Sequence, residues 1–323
     1  MADDVLANYI QQYIESTAGD DVRFTWQGGE PTLAGLSFYQ KVVRWQKMFA
    51  DGKRIHNDIQ TNGLLLNDVW CEFLAANNWG VNLSIDGDQT AHNAHRVLNT
   101  GRSSYAQTYE SLERLQRANI QCTALVAIHQ ANVHEPIKHY QHLVDLGFRR
   151  FQFSPLTQTD RSPEIQPWHI SAKEYGNFLV HIFEHWQRHD VGSVSIQDFE
   201  SAYATLNGLP ATLCLHSATC GNTFVVLKQG EVYSCEHYVS SEYFLGNITR
   251  KTLNEMQLSK ENVSFGIEKT LNLPEACQQC PFVSQCQGGC RRHRLAEDGR
   301  NILCAGYKVF FARFNAAFAD REG

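Results

Sequence analysis

Eight of the ten cysteines lie between residues 214 and 304, spaced Cys214-x5-Cys220-x14-Cys235 and then Cys277-x2-Cys280-x5-Cys286-x3-Cys290-x13-Cys304. Thiolate is the soft ligand that holds iron-sulfur clusters or structural zinc, and a closely spaced pair on a short loop puts two ligands on one centre. Eight thiolates make two four-ligand sites. The spacing leaves two kinds of occupant open. One is a pair of iron-sulfur clusters; the other is a pair of zinc ions that would stabilise a loop-rich region burying little apolar surface. Cys71 and Cys122 fall inside helix and strand patterns, where a free cysteine packs as a small hydrophobe, and neither is given a chemical role.

A second group of residues follows strand-like runs in the first half of the chain. Gln27-Gly28-Gly29-Glu30-Pro31 comes directly after one such run. There glycines let a ligand approach the backbone, and a carboxylate can meet an ammonium group. Thr61-Asn62-Gly63 and Ser84-Ile85-Asp86-Gly87 also close strands, at the carboxyl edge where α/β barrels gather ligands. Arg96 supplies a guanidinium suited to paired hydrogen bonds with a carboxylate. Taken singly, each segment is equally a turn, and Arg96 equally a solvated cation. Glu236 directly follows Cys235 and by itself reads as an exposed acid on a loop.

The elements that must position these groups follow from periodicity. Val5, Leu6, Tyr9, Ile10, Tyr13 and Ile14 recur at helical spacing, ahead of a β-rich run from Val22 to Trp26. A helix over 36–49, a strand over 55–60, a helix over 68–77 and a strand from Val81 to Ile85 continue the alternation. Ser104 with Gln107 predicts a capping box for a helix whose Tyr109, Leu112 and Leu115 share a face. The strands Cys122 to Ile128 and Phe151 to Phe153, with another helix between them, complete the series. Five strands separated by helices imply parallel pairing, so the fold class is α/β, a partial β/α barrel over residues 1–155. Residues 156–210 read as a helical connector with the apolar stripe Tyr175, Phe178, Leu179, Ile182 and Phe183. Residues 211–323 read as a small cysteine-rich domain. It has strands Thr223 to Leu227 and Glu231 to Ser234 around a Lys-Gln-Gly turn, and a final helix through Tyr307, Phe310, Phe311, Phe314 and Phe318 packed back on it.

Composition narrows the function classes. With 43% hydrophobic residues and a net charge of -6 the chain is expected to be globular, and no lysine or arginine block tracks a phosphate backbone, so no nucleic-acid partner is expected. No apolar run approaches the roughly 18 residues of a membrane span, and the N-terminus lacks signal-peptide features, so a cytoplasmic protein without a membrane partner is expected. In that reducing compartment cysteines are ligands rather than a disulfide framework. Among the fourteen histidines, His134, His139 and His142, or His185 and His189, show no metal-ligand pairing with nearby carboxylates. No Gly-x-Ser-x-Gly elbow or Walker loop is present.

The cysteine pattern resembles the SPASM domain of the radical S-adenosylmethionine (SAM) anaerobic sulfatase-maturating enzymes, and the Gln27–Pro31 and Ser84–Gly87 segments are similar to that family's barrel motifs. The resemblance implies a partial (β/α)6 barrel lacking its first strand, followed by the SPASM domain. It implies two auxiliary 4Fe-4S clusters, one on Cys214, Cys220, Cys235 and Cys290, the other on Cys277, Cys280, Cys286 and Cys304. It places S-adenosylmethionine against Gln27, Gly28, Gly29, Glu30, Thr61, Asn62, Ser84, Asp86 and Arg96. Within that set the Gly-Gly-Glu segment takes the amino group, and Ser84 and Arg96 take the ribose and carboxylate. In the family a 5'-deoxyadenosyl radical removes a β-hydrogen from a cysteine or serine of a sulfatase, a base takes the thiol or hydroxyl proton, an electron leaves, and formylglycine results. Glu236 occupies the base position, where most members have aspartate, one methylene shorter. The partners implied are a sulfatase polypeptide and an electron donor such as flavodoxin or ferredoxin.

The family's third, catalytic 4Fe-4S cluster needs Cys-x3-Cys-x2-Cys, which occurs nowhere in this chain. A shortened chain, a start assigned at an internal methionine or a degenerate paralogue would each give this sequence, and the chain as it stands is expected to be inactive in the reductive cleavage. The alternatives are a non-catalytic iron-sulfur protein that binds peptides or carries electrons, a zinc-stabilised peptide-binding module, and a SPASM maturase of another peptide. The expected outcome of anaerobic purification is brown protein with about eight irons per chain, as two 4Fe-4S sites require; colourless protein with about two zincs would select the zinc module.

Overall fold

The computed structural model describes residues 1–158, 160, 162 and 164–319. Six strands lie side by side in chain order, every neighbouring pair parallel: β1 (Asp21–Trp26), β2 (Arg54–Thr61), β3 (Gly80–Ser84), β4 (Cys122–Ile128), β5 (Arg150–Pro155) and β6 (Ser195–Ile196). Helical crossovers join them: α1 (Asp3–Ser16) precedes β1, α2 (Leu36–Phe49) and α3 (Asp68–Ala76) follow β1 and β2, α4 (Gln89–His95) and α5 (Tyr105–Arg117) follow β3, and α6 (Pro136–Asp145) follows β4. Burial alternates along the strands. Val22, Phe24, Val81, Leu83, Ala124 and Val126 are buried on one face against Leu6, Ile10, Tyr39, Val42, Leu74 and Leu112 of the helices. The residues between them are exposed, as Arg23 and Thr25 are, or half-buried, as Asn82 and Ser84 are. A parallel sheet is ordinarily apolar on both faces, so this one keeps a second face for polar groups.

Three features depart from the reading of the sequence. The stretch read as a purely helical connector holds α7 (Ala172–His189), then the two-residue β6 that extends the sheet beside β5, then α8 (Gln197–Leu206); so short a strand leaves no period-2 trace. Ser104 stands at the N-cap of α5 but makes no capping bond. Its hydroxyl donates instead to the Arg96 carbonyl at 2.7 Å and meets His92 Nε2 at 3.0 Å, because the buried turn behind α4 claims it. The cysteine-rich region has a third antiparallel strand, so that β7 (Val225–Val226), β8 (Glu231–Tyr233) and β9 (Phe244–Asn247) form a small sheet.

The short helices α9 (Leu253–Gln257), α10 (Lys260–Leu271), α11 (Glu275–Gln278) and α12 (Val283–Cys286) follow, and α13 (Cys304–Ala319) closes the described chain. Two elements bind this region to the large sheet. Val5 of α1 is buried with Val232, Leu245, Ile248, Leu253 and Met256 of the small domain, while Asn8 and Gln12 donate to the Ile248 carbonyl and Gln12 Oε1 accepts from Leu253 N. The aromatic face of α13 packs on the small domain as expected, where Tyr307 and Phe311 meet His216 and Phe311 meets Phe282, and it packs on α7 and α8 as well: Phe314 lies 4.7 Å from Phe183, and Phe310 5.8 Å from Phe199, ring to ring. The reason is the Gly306–Gly176 contact, where a side chain on Gly306 would come within 2.1 Å of the Ala172 carbonyl oxygen. Glycine is needed here for close approach. Gly306→Ala is expected to push α13 off α7, destabilising the chain by about 1–3 kcal/mol as overpacking does, measured as a fall of several degrees in melting temperature.

Candidate functional site

The carboxyl edge of the large sheet is where the sequence-derived residues collect. Gly28 and Gly29 follow β1 with φ of 103° and 55°, and a side chain at either would meet nothing within 4 Å. Backbone is therefore presented to open space, a surface that a small polar ligand can approach. Glu30 lies in the same loop with its carboxylate turned inward: Oε1 accepts from Thr32 N (3.0 Å), Thr32 Oγ1 (2.5 Å) and Thr61 Oγ1 (2.7 Å), and Oε2 from Asn62 N (2.9 Å). The Glu30 side chain thus ties the loop after β1 to the end of β2. Its reach toward a ligand ammonium is correspondingly reduced. Thr61 also accepts from Gly63 N, and the Asn62 side chain accepts from Leu64 N, so both residues chiefly shape the second loop.

Beyond β3, Asp86 is 1% exposed, and Arg96, the residue after α4, grips it with Nε at 2.5 Å and a terminal nitrogen at 3.0 Å. Ala127 N donates to the same carboxylate at 2.8 Å, and His129 Nε2 stands 3.7 Å away. Burial alone would raise the Asp86 pKa; His129, the Arg96 guanidinium and the Ala127 N–H outweigh it and hold the carboxyl below its ordinary value. Arg96, expected against the carboxylate of S-adenosylmethionine, is paired within the chain through two of its three nitrogens, leaving one for another anion. Ser84, at the end of β3, is half-buried. His129 and Asn132 were not singled out in the sequence: Asn132 Nδ2 donates to the carbonyls of Asp86 and Ala127, and His129 is fully buried against His95 with ring centroids 4.5 Å apart. Only a fold that juxtaposes β3 and β4 reveals them.

The eight cysteines fall into two neighbourhoods. Cys277, Cys280, Cys286 and Cys304 line one pocket with Phe282, Asn301, Tyr307 and Phe311. Burial is the main influence raising the thiols of Cys277 and Cys286, the latter to about 12, and Cys304 and Cys280 add to both. Burial likewise raises Cys214, Cys220 and Cys235, the last to about 11, and all three feel the charge of Cys290. Thiols held neutral this way ionise when a metal supplies the opposing charge. All ten cysteines are free, and among the described residues no three Cys, His or carboxylate groups converge on a single-ion site. Four thiols lining one pocket, and four that bear on one another electrostatically, are donor sets that fit two four-thiolate clusters.

The two halves of the site touch through Gln27 and Glu236. The Gln27 side-chain amide donates to the Glu236 carboxylate, joining the loop after β1 to the loop after Cys235. Glu236 is half exposed, with His237 beside it, and His237 Nδ1 meets an Arg292 nitrogen at 3.0 Å.

Comparison with known proteins matches these two halves. Residues 2–143 match the Radical SAM superfamily, and residues 218–281 match SPASM, an iron-sulfur cluster-binding domain. The chain is 36% identical to the serine-type anaerobic sulfatase-maturating enzyme of Bacteroides thetaiotaomicron, over 96% of this chain and 80% of that protein. It is 30% identical to the cysteine-type enzyme of Clostridium perfringens, over 96% and 86% respectively. Native anSMEcpe, solved with bound AdoMet and Kp18Cys peptide, superposes with a TM-score of 0.92 at 30% identity, covering 99% of this chain and 90% of that one. The chain, an α/β sheet followed by a SPASM domain, belongs to the anaerobic sulfatase-maturating enzymes of the radical SAM superfamily.

Proposed function

We propose that this protein is an oxidoreductase that converts an active-site serine or cysteine of a sulfatase to formylglycine, using S-adenosylmethionine at the carboxyl edge of the sheet and two 4Fe-4S clusters in the SPASM region. The observation that carries the reading is the Gln27–Glu236 hydrogen bond, which brings the acid of a cysteine loop to the glycine loop 209 positions away in the chain. S-adenosylmethionine on a three-cysteine cluster would supply the hydrogen abstraction, but the Cys-x3-Cys-x2-Cys ligands of that cluster are not in this sequence, so the chain as it stands is expected to be inactive; the four-cysteine clusters would supply an electron acceptor.

The remaining work belongs to side chains of this chain. Glu236 takes the proton from the substrate hydroxyl or thiol as the Cβ hydrogen and one electron depart, leaving a C=O bond from serine, or from cysteine a C=S bond that water hydrolyses to the aldehyde with release of hydrogen sulfide. Gln27 orients that carboxylate. Glu30 holds the open backbone of Gly28 and Gly29 in register with Thr61 and Asn62, and Asp86 fixes Arg96 so that its remaining nitrogen meets an anionic group, with Ser84 alongside. The thiol neighbourhoods support one cluster on Cys214, Cys220, Cys235 and Cys290 and the other on Cys277, Cys280, Cys286 and Cys304.

The serine-type relative aligns at 36% identity against 30% for the cysteine-type one, which favours a serine target. No helix among the described residues is long and apolar enough to cross a membrane, and the net charge of -6 offers nothing to nucleic acid. The reading is of a cytoplasmic enzyme served by a flavodoxin- or ferredoxin-type donor, with a barrel over 1–155, a connector over 156–210 and the SPASM region over 211–323.

Two experiments test this. In a chain extended to carry the Cys-x3-Cys-x2-Cys segment, Glu236→Gln is expected to abolish formylglycine formation, read by peptide mass spectrometry, with iron content unchanged; undiminished product would remove Glu236 from the mechanism. In the present chain, Cys220→Ser/Cys290→Ser is expected to lose about four irons and Cys286→Ser/Cys290→Ser about eight, because the first pair shares a cluster and the second does not. Equal losses would reject this partition.

A further inference from the structure

Lys269 lies on α10 with no exposure to solvent. Its Nζ donates to the Cys214 carbonyl at 2.9 Å and the Leu215 carbonyl at 3.0 Å. Among the described residues no carboxylate pairs with it, and the adjacent Glu268 is turned to Arg291 at 2.7 Å. The groups whose charge reaches the Lys269 ammonium are the thiols of Cys220, Cys214 and Cys290, opposed by the Arg294 guanidinium. A buried ammonium without a counter-ion is strongly unfavourable. Two carbonyl dipoles reduce that penalty without neutralising the charge. The missing anion must therefore arrive with whatever the neighbouring thiols bind.

We infer that Lys269 is the built-in counter-ion of the cluster held by Cys214, Cys220, Cys235 and Cys290, and that it raises that cluster's reduction potential selectively, making it the preferred acceptor of the electron leaving the substrate. The inference rests on reading the eight cysteines as two cluster cages. A four-thiolate cluster is an anion that gains one more negative charge when it takes up one electron, so a fixed positive charge beside it favours the reduced form. The thiols that the charge of Lys269 reaches all belong to this first cage, whereas the guanidinium beside the second is shared between the two. The cations near Cys277 of the second cage are Arg294 and Arg300. Arg300 is solvent-accessible and already paired with Asp298 at 2.5 Å, whereas Arg294, which like Lys269 donates to carbonyls, those of Lys269, Gln287 and Gly288, is only half-buried and lies within reach of Cys220 in the first cage as well as Cys277 and Cys286 in the second, so it does not distinguish them. Lys269 is a tuning residue, acting through the cluster rather than on the substrate.

The chain as it stands carries both cages and is sufficient for the test. Wild type, Lys269→Met and Lys269→Arg are reconstituted anaerobically with iron and sulfide, assayed for iron, and titrated with dithionite while the reduced clusters are followed by electron paramagnetic resonance. Wild type should hold about eight irons; failure to take up iron would overturn the cluster reading and this inference with it. With iron retained, Lys269→Met should make one midpoint more negative while the other stays put. The expected drop in the one-electron reduction constant is on the order of tenfold, about 59 mV. Lys269→Arg should stay at the wild-type value. Two unmoved midpoints in a fully loaded Lys269→Met would overturn the inference. Should Lys269→Met lose one cluster, Lys269→Arg decides: both clusters kept means that charge is required, and the same loss means that shape was required, which overturns it.

Discussion

The placement of the cysteine-rich region depends on a contact between backbones. Gly306 of α13 lies against the Ala172 carbonyl and Gly176 of α7, closer than any side chain allows. Because α13 begins with Cys304 and carries Tyr307 and Phe311 into the pocket of Cys277, Cys280 and Cys286, this contact fixes one group of thiols relative to the large sheet. At the opposite side α1 holds β8 and β9 through Val5, Asn8 and Gln12. With both anchors in place, Glu236 in the loop after Cys235 meets Gln27.

A second constraint is the treatment of charge at and near the site. Glu30 and Asp86 satisfy their oxygens inside the chain, with Thr32, Thr61 and Asn62 in one case and Arg96 and Ala127 in the other. Each stiffens a loop at a strand end, and what faces outward is glycine backbone and one remaining Arg96 nitrogen. Preorganised backbone and dipoles of this kind bind a polar cofactor without reorganisation. Lys269 differs from both: among the described residues no carboxylate pairs with it, and the thiols around it show where a counter-charge would come from.

Sequence periodicity made five strands, their parallel pairing and the helices between them legible, because amphipathic spacing is a local property that tertiary packing reinforces here. It did not reveal β6, which has two residues and exists only because β5 offers an edge. It placed a capping box at Ser104, where propensity favours one, but the hydroxyl is claimed by Arg96 and His92 across a turn that cannot be foreseen locally. The aromatic stripe of α13 was evident, yet the surface it covers was decided by two glycines 130 positions apart.

By itself the sequence determined the chemistry available: eight thiols in two runs, a glycine-rich loop after a strand, an acid beside a cysteine and no Cys-x3-Cys-x2-Cys. Residue type and spacing fix which ligands a loop can offer, and that information is local. Only the tertiary structure decided which thiols share a neighbourhood, that Glu30 and Arg96 face inward to partners, that His129 and Lys269 are buried, and that Glu236 reaches Gln27. Those are relations between groups far apart in the chain, set by how the sheet, α1 and α13 pack, and no window of sequence contains them.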